Sequence, residues 1–247
     1  HFKRVTTIHD LHYKLVPEAH FGVRGLGMRL LVPAAVRRSH RLVVPAAMTR
    51  DDLIKHLHVD PAKIDVVPQG VRIPEWVERR PDGFVLCVGA KRPHKNVVAV
   101  IEAIARMDPK PKLVVTGYRS PYEAVLRERA TTLGVELELP EWVDDLEDLY
   151  SRASVVAVPS LYEGFGLPVL EAMARGVPVV SSNRGSLPEV AGDAALLVDP
   201  TDIPALRAAI ERALADPEPL SQKGRRRAEQ FSWARTAQLT AEAYRRA

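Results

Sequence analysis

Two glutamates, Glu163 and Glu171, stand on either side of a glycine-containing turn. The turn follows directly on the apolar run 155–158, which has the composition of a buried strand. Gly164 and Gly166 leave the backbone free to turn and to approach a ligand closely. The free N–H groups and the positive dipole end of a helix that starts after such a turn favour a phosphate group. The pattern therefore predicts a phosphate-binding turn, with Glu171 near enough to reach a hydroxyl of the bound compound.

The same spacing also fits a structural interpretation. Glycines are common between strands and helices, and a glutamate in a first helical turn adds about 0.3–1 kcal/mol of stability through the dipole alone. His9 with Asp10 could be a structural pair at a strand end, and Lys95 could be a solvated lysine at a helix start. From spacing alone, both interpretations stay open.

The elements that must position this turn alternate regularly from about residue 84 onward. Short apolar, β-branched runs lie at 84–88, 112–116, 135–139, 155–158, 178–181 and 195–198. Helical patterns lie at 96–107, 121–133, 145–153, 167–175, 187–191 and 202–215, followed by 218–230 and 232–246. Near-continuous apolar strands separated by helices indicate a parallel sheet covered on both faces. Six strands wound in this way predict a doubly wound, Rossmann-like domain over residues 75–231.

The first 74 residues are organised differently. Strands are predicted at 5–8, 41–44 and 64–67, with helices near 25–38 and 49–57. This is about half of a second doubly wound domain, and such a fragment leaves a sheet edge unpaired. We therefore expect further strands before residue 1 and an interdomain linker at 70–74. The last segment, 232–247, is predicted to be a helix that crosses back to the N-terminal domain, with its apolar face formed by Phe231, Trp233, Leu239 and Tyr244.

Residues 162–172 read YEGFGLPVLEA and resemble the signature of family 4 retaining glycosyltransferases, which have the GT-B fold of two Rossmann-like domains. The similarity continues through GVPVVS at 176–181, SLPEV at 186–190 and GDAALLVDP at 192–200. Upstream, PHKN at 93–96 is similar to the family's lysine-bearing loop, and TIHDL at 7–11 and VPQGV at 67–71 are similar to the end of its acceptor domain. The resemblance implies an α/β protein of GT-B type whose N-terminal domain is incomplete in this chain.

The resemblance implies a role for each matching side chain. Glu171 would hydrogen-bond the ribose of the donor nucleotide, and Glu163 would bind hydroxyls of the donor sugar and orient it. Lys95 would neutralise the diphosphate, on which charge develops as it leaves. His9 would face the sugar across the cleft.

Backbone groups and one further loop complete the predicted site. The turn would contribute to substrate binding through Gly164, Phe165, Gly166 and Leu167, and the N–H groups around Gly166 and Leu167 would add to the diphosphate site. Val143, with the neighbouring Trp142, would lie along the nucleotide base. Many relatives place an arginine after the glycine of the first loop, where this chain has Ala90. Lys91 or Arg92 would supply that positive charge, and Arg92 is the one included among the predicted substrate-binding residues.

The resemblance implies transfer of a hexose from a nucleoside-diphosphate sugar to an acceptor hydroxyl with retention, in polysaccharide or glycolipid synthesis. Within the resemblance, the loop at 93–96 favours a mannosyl donor. No cofactor and no required metal are expected. A nucleotide-binding module without transfer activity is the alternative. An oxidoreductase is disfavoured because the turn after residue 88 reads GAKRPH and lacks GxGxxG. A phosphorylase or a nucleotide-sugar epimerase is disfavoured by the block that spans Glu163 and Glu171.

Composition limits the classes of binding partner and the cellular compartment that the sequence favours. The formal net charge of +4 is scattered in short clusters without interleaved aromatic residues, so no nucleic-acid partner is expected. The single cysteine, Cys87, lies in an apolar run and indicates a buried thiol in a reducing, cytoplasmic compartment. No run of about 20 apolar residues occurs. The resemblance to family 4 glycosyltransferases implies a nucleotide sugar and a sugar or lipid-linked acceptor as partners. A peripheral membrane contact stays open through the basic helix near 25–38, which Pro33 is expected to interrupt.

Two acidic patterns predict helix caps. The run 144–148 could suggest a metal site, but Asp144 as an N-cap with Glu147 three residues on is the favoured interpretation. Ser186 and Glu189 have the spacing of a capping box.

Overall fold

The computed structural model describes residues 2–16, 22–75, 78–140 and 143–247. In the N-terminal part, three parallel strands pair in the order β1-β2-β3. The elements of this part are β1 (Val5–Thr7), α1 (His12–Leu15), α2 (Gly22–Arg38), β2 (Arg41–Val44), α3 (Ala47–Leu57) and β3 (Ile64–Val66). Helix α2 continues through Pro33 for 17 residues, so the predicted interruption was wrong. The proline removes one helical N–H donor, which this helix tolerates.

The second part is a parallel sheet of six strands covered by helices. Its strands are β4 (Val85–Val88), β5 (Leu113–Thr116), β6 (Leu137–Glu138), β7 (Val155–Val158), β8 (Val179–Ser182) and β9 (Leu196–Val198). Its helices are α4 (Val97–Ile104), α5 (Glu123–Leu133), α6 (Leu146–Arg152), α7 (Leu167–Ala174), α8 (Leu187–Ala191), α9 (Ile203–Ala215) and α10 (Glu218–Ala228). The strand order is β6-β5-β4-β7-β8-β9, so the winding direction reverses between β4 and β7. This confirms the predicted α/β class with a doubly wound sheet. In such sheets the crevice beyond the carboxyl ends of the two central strands is the usual ligand site.

Successive strand residues supply the cores on the two faces of this sheet. Leu86 and Val156 belong to one buried cluster, whereas Val85 and Cys87 belong to the other. The alternation follows from the two-residue period of a strand, and both faces are apolar because helices cover both. Burial also raises the pKa of the Cys87 thiol to about 12, as expected for a core cysteine.

Strand β6 is shorter than predicted. Val135 and Leu139 lie outside its ladder but are buried all the same. As an edge strand, β6 pairs only with β5, through two residue pairs. The apolar character of residues 135–139 therefore reflects their burial at this edge of the sheet. Only two of these residues pair with the neighbouring strand.

Helix α11 (Trp233–Arg246) packs against the N-terminal sheet. Leu239 and Ala243 pack with Val43 of β2 and with Val67, which directly follows β3, and the Thr236 hydroxyl donates to the Pro68 carbonyl at 2.7 Å. Trp233 and Tyr244, which were predicted on the apolar face, are exposed. At 100° per residue they lie roughly 120–140° around the helix from Leu239, so they point away from the sheet.

The two predicted caps are corrected by the structure. The carboxylate that caps α6 belongs to Asp145, which accepts from the Asp148 N–H at 3.0 Å, one residue later than predicted. Ser186 and Glu189 form no capping box. Instead, the Glu189 carboxylate accepts from the Ala47 N–H at 2.9 Å and caps α3 in the N-terminal part. None of the described helices is long and apolar enough to cross a membrane.

Candidate active site

A cavity of about 530 Å³ opens at the carboxyl ends of β4 and β5. Its wall is formed by Val88, Gly89, Ala90, Thr116, Gly117, Tyr118, Arg119, Val143 and Leu146. The two loops that follow the strands meet here, because a Cβ on Gly117 would lie only 2.1 Å from the Gly89 carbonyl oxygen. Gly117 also has φ of +135°, which an L side chain rarely adopts. The glycine therefore brings the two loops together and shapes the cavity.

Val143 lies in the wall of this cavity, where sequence analysis placed it along a bound base. Its predicted neighbour Trp142 lies outside the described residues. The cavity offers apolar surface from Val88, Val143 and Leu146 together with polar groups from Thr116 and Arg119. A flat heterocycle with polar edges fits such a wall.

Lys95 and Glu163 meet between the loops that follow β4 and β7. The Lys95 ammonium donates to Glu163 Oε1 at 2.5 Å, and the Ser160 hydroxyl donates to the same oxygen at 2.7 Å. Both charged side chains are largely buried, with 20% and 10% of their surface exposed. The pair thus lies at the point where the strand order reverses, beside a narrow cavity lined by Lys95, Ser160 and Gly89.

Gly89 has φ of +140°, which an L side chain rarely adopts, and the lysine packs alongside it at ordinary contact distance. A Cβ at this position would lie 3.6 Å from Lys95 Cε, so the lysine arm runs across the glycine. Gly89 and Ala90 also line the larger cavity. The ammonium group therefore lies next to the wall of the larger cavity.

The turn after Glu163 is anchored by Ser186, the residue that directly precedes α8. The Ser186 hydroxyl contacts the Glu163 carbonyl oxygen at 2.9 Å and the Phe165 carbonyl oxygen at 2.7 Å. Gly166 has φ of +112° and caps α7, whose first residue is Leu167. The Phe165 side chain is in the core, where its ring packs against Phe231 with centroids 6.1 Å apart. Phe165 was predicted to bind substrate, but burial leaves only its backbone for such a role.

Glu171 lies on α7 and is partly exposed. Its Oε2 accepts a hydrogen bond from the Tyr150 hydroxyl at 2.9 Å. Tyr150 lies on α6 one helical turn after Leu146, which lines the larger cavity. Neither glutamate is among the described residues that line the larger cavity. Glu171 is connected to its wall through Tyr150 and Leu146 on α6, and Glu163 through Lys95, which packs beside Gly89.

The N-terminal part contacts the turn directly. A Cβ on Gly164 would lie 2.3 Å from the His9 carbonyl oxygen, and the Thr49 hydroxyl donates to the Gly164 carbonyl at 3.2 Å. The His9 side chain is exposed at this junction. The structure therefore brings His9 close in space to the turn that carries Glu163, from the opposite domain.

The residues that precede the ion pair also pack across the domain boundary. The ring of His12 contacts the rings of His94 and Tyr162 at centroid distances of 4.8 and 4.7 Å. His94 immediately precedes Lys95, and Tyr162 immediately precedes Glu163. Burial, more than the neighbouring positive groups, lowers the pKa of His94 to about 3. A neutral histidine therefore packs at this junction, directly before the lysine of the ion pair.

Lys91 is excluded as the cation that replaces the missing arginine. Its side chain is fully buried, and its ammonium lies 3.2 Å from a Glu123 carboxylate oxygen and donates to the Gly117 carbonyl at 2.9 Å. The lysine therefore links the loop after β4 to the loop after β5 beneath the cavity. Arg92 is exposed and precedes the 3-10 turn Pro93–Lys95, so it remains the candidate.

Sequence reasoning missed three contributors to this region: Ser160, Tyr150 and the loop 116–119. The loop had a usable signal, because a glycine follows β5 just as Gly89 follows β4. Ser160 and Tyr150 carried no pattern of their own, since they act by contacting residues that are distant in sequence.

The fold and the site define the class of protein. Residues 73–231 match the family of glycosyl transferases group 1, and residues 1–73 match glycosyltransferase family 4. The chain belongs to the group 1 glycosyltransferases, as the resemblance of its signature had implied.

Two relatives and one solved structure illustrate the similarity. The chain is 33% identical to an O-antigen chain mannosyltransferase B from Escherichia coli, over 98% of this chain and 70% of that protein. It is 34% identical to an MMP alpha-(1->4)-mannosyltransferase from Mycolicibacterium hassiacum, over 85% of this chain and 55% of that protein. The structure of a sucrose-phosphate synthase from Thermosynechococcus elongatus superposes with a TM-score of 0.80 at 26% identity, covering 99% of this chain and 67% of that one. The chain thus spans only part of the length of these proteins.

Proposed function

We propose that this chain contains the donor-binding domain and part of the acceptor domain of a retaining glycosyltransferase. The enzyme would move a hexose from a nucleoside-diphosphate sugar to an acceptor hydroxyl, in polysaccharide or glycolipid synthesis. Mannose is the first sugar to test, because both relatives described above are named mannosyltransferases. The observation that carries the proposal is the buried Lys95–Glu163 pair, which lies where the strand order reverses, beside the narrow cavity.

In the proposed reaction the bond between the anomeric carbon and the diphosphate oxygen breaks as the acceptor oxygen bonds to that carbon on the same face. The acceptor proton passes to the leaving phosphate oxygen, so no protein nucleophile is needed. Lys95 stabilises the charge that grows on the leaving group, and the ion pair holds the Glu163 carboxylate ready for the sugar hydroxyls. Glu171 binds the ribose, backbone N–H groups near Leu167 contact the diphosphate, and His9 faces the sugar from the other domain.

We also propose that transfer needs no metal ion, because the lysine already supplies the compensating charge. Transfer that is unchanged by excess EDTA would support this part of the proposal. Loss of activity with EDTA, restored by Mg²⁺ or Mn²⁺, would contradict it.

A panel of nucleotide sugars tests donor binding. Saturation at about 100 times Kd stabilises a protein by about 2.7 kcal/mol, which gives a readily measured rise in melting temperature. GDP-mannose is tested beside UDP-glucose and the free nucleotides UDP and GDP. A module that only binds nucleotide would show the rise but no transfer, and this distinguishes the alternative function.

Substitution of the ion pair tests the chemistry. Lys95→Ala and Glu163→Ala are expected to abolish transfer while the fold survives, measured in the full-length protein by product formation and by circular dichroism. Ser221→Ala, on α10 away from the described site, serves as the control. Wild-type turnover of Lys95→Ala would refute the assigned role of the lysine.

For the acceptor side we propose a peripheral contact with an anionic membrane through α2. This helix exposes Leu26, Leu30 and Leu31, and its only ionised side chains are arginines. Exposed leucines among cationic side chains suit an interface of acyl chains and anionic headgroups. Flotation with phosphatidylglycerol vesicles should recover the protein, and a triple Leu→Ser variant should be lost from the floating fraction. Equal flotation of both proteins would contradict the contact.

A further inference from the structure

We infer that Tyr150 is a positioning residue that aims the Glu171 carboxylate at the ribose of the bound nucleotide. The inference rests on the proposed function, since it concerns the sugar-binding group of that same site. It adds a residue from a different helix, which no pattern around the two glutamates indicates.

A hydrogen bond from Tyr150 fixes one oxygen of the Glu171 carboxylate. Tyr150 is fully buried on α6, and its hydroxyl lies 2.9 Å from Glu171 Oε2. Burial, and after it the Glu171 charge, raises the pKa of this phenol well above its ordinary value. The hydroxyl therefore keeps its proton and acts as the donor in this hydrogen bond. A buried donor cannot follow the carboxylate if that group rotates, so the bond holds the glutamate in one orientation.

The tyrosine is itself held in place by Arg175. The Arg175 guanidinium carbon lies 5.0 Å from the centroid of the Tyr150 ring. The same guanidinium donates to the Glu171 carbonyl oxygen at 2.8 Å and forks onto both carboxylate oxygens of Glu147. Arg175 is almost fully buried, so α6 and α7 are joined by a rigid ionic contact around the phenol ring.

The other carboxylate oxygen remains available. Among the described residues, Glu171 Oε1 accepts no hydrogen bond from the protein, and the side chain is partly exposed. Leu146, one turn before Tyr150 on α6, lines the cavity of about 530 Å³. The phenol thus engages one carboxylate oxygen, and the other, Oε1, can accept from the hydroxyl of a ribose bound beside α6.

The test compares two probes on the full chain. Calorimetry gives Kd for UDP and for GDP, and the tighter nucleotide is then compared with its 2′,3′-dideoxy analogue. Tyr150→Phe keeps the ring but removes the donor, and should weaken binding of the normal nucleotide about three- to tenfold. Binding of the dideoxy analogue should change less than about twofold, because that probe has no hydroxyl for Glu171 to bind.

Two further variants sharpen the comparison. Tyr13→Phe is the matched control, because the Tyr13 hydroxyl is also buried but has no hydrogen-bond partner among the described residues. It should bind both probes as the wild type does. Glu171→Ala should abolish the difference between the two probes, and adding Tyr150→Phe to it should cause no further loss. If Tyr150→Phe fails to fold, Arg175→Lys is judged by the same criterion.

Equal weakening of both probes by Tyr150→Phe would overturn the inference, since that result shows only a structural role for the phenol. Unchanged binding of the normal nucleotide would overturn it as well. If the wild type binds neither UDP nor GDP, the proposed function fails together with the inference. A wild type that binds nucleotide but shows no preference for the ribose hydroxyls would overturn the inference alone.

Discussion

Gly164 lies where the two domains touch, and replacing it with alanine should disturb catalysis more than nucleotide binding. The added Cβ would lie 2.3 Å from the His9 carbonyl oxygen and 2.8 Å from Asp10 Cβ. Ordinary contact distances are near 3.5 Å, so the segment that carries Gly164 and the segment that carries His9 must separate by about 1 Å. The turn cannot retreat easily, because Ser186 holds the carbonyl groups of Glu163 and Phe165 from the other side.

The separation must therefore be taken up between the domains. Overpacking of this kind costs about 1–3 kcal/mol of folding stability. A displacement of about 1 Å between reacting groups can reduce a rate about 100-fold. The described wall of the larger cavity belongs entirely to the second domain, so nucleotide affinity should change less than about twofold.

Three measurements check this prediction: thermal unfolding, nucleotide binding by calorimetry, and hydrolysis or transfer of the donor identified in the panel. We expect Gly164→Ala to lower the melting temperature and reduce turnover about 10- to 100-fold at nearly unchanged nucleotide affinity. Gly27→Ala is the matched control, because no atom beyond the neighbouring residues and backbone of its own helix lies within 4 Å of its Cβ position. Wild-type turnover and stability in Gly164→Ala, or loss of nucleotide binding in parallel with turnover, would refute the reasoning.

Three further predictions concern stability and reactivity. Glu189→Ala removes the carboxylate that caps α3 and should lower the free energy of unfolding by about 1 kcal/mol, with a smaller loss for Glu189→Gln; equal denaturation midpoints for all three proteins would contradict it. His94 has a folded pKa of about 3, well below its ordinary value near 6.5, so the unfolded chain binds this proton first and stability should fall as pH drops from about 6.5 to 3. His94→Asn should flatten that dependence by up to about 1.4 kcal/mol per pH unit in urea titrations, whereas parallel pH profiles would speak against it. Because burial raises the pKa of Cys87 to about 12, a thiol reagent at pH 8 should label the native protein at least about 100-fold more slowly than the denatured one, and rapid native labelling would show that the thiol is accessible.

Local sequence was sufficient for most of the elements of the fold. The apolar runs and amphipathic segments after residue 84 correspond to the strands and helices of the second domain. Each was predictable because a buried face places apolar residues at the two-residue period of a strand or the 3.6-residue period of a helix. The turn between Glu163 and Glu171 was also predictable, since its glycines, its strand and its helix are adjacent in sequence.

What the tertiary structure alone decided were the contacts between distant residues. No local pattern indicates that Glu163 pairs with Lys95, that Tyr150 donates to Glu171, or that Glu189 caps a helix of the other domain. The same holds for Ser186, whose spacing to Glu189 resembles a capping box although its hydroxyl supports the turn. Such choices depend on which groups the folded chain brings within about 3 Å, and a side chain with several local options takes the partner that burial leaves unsatisfied.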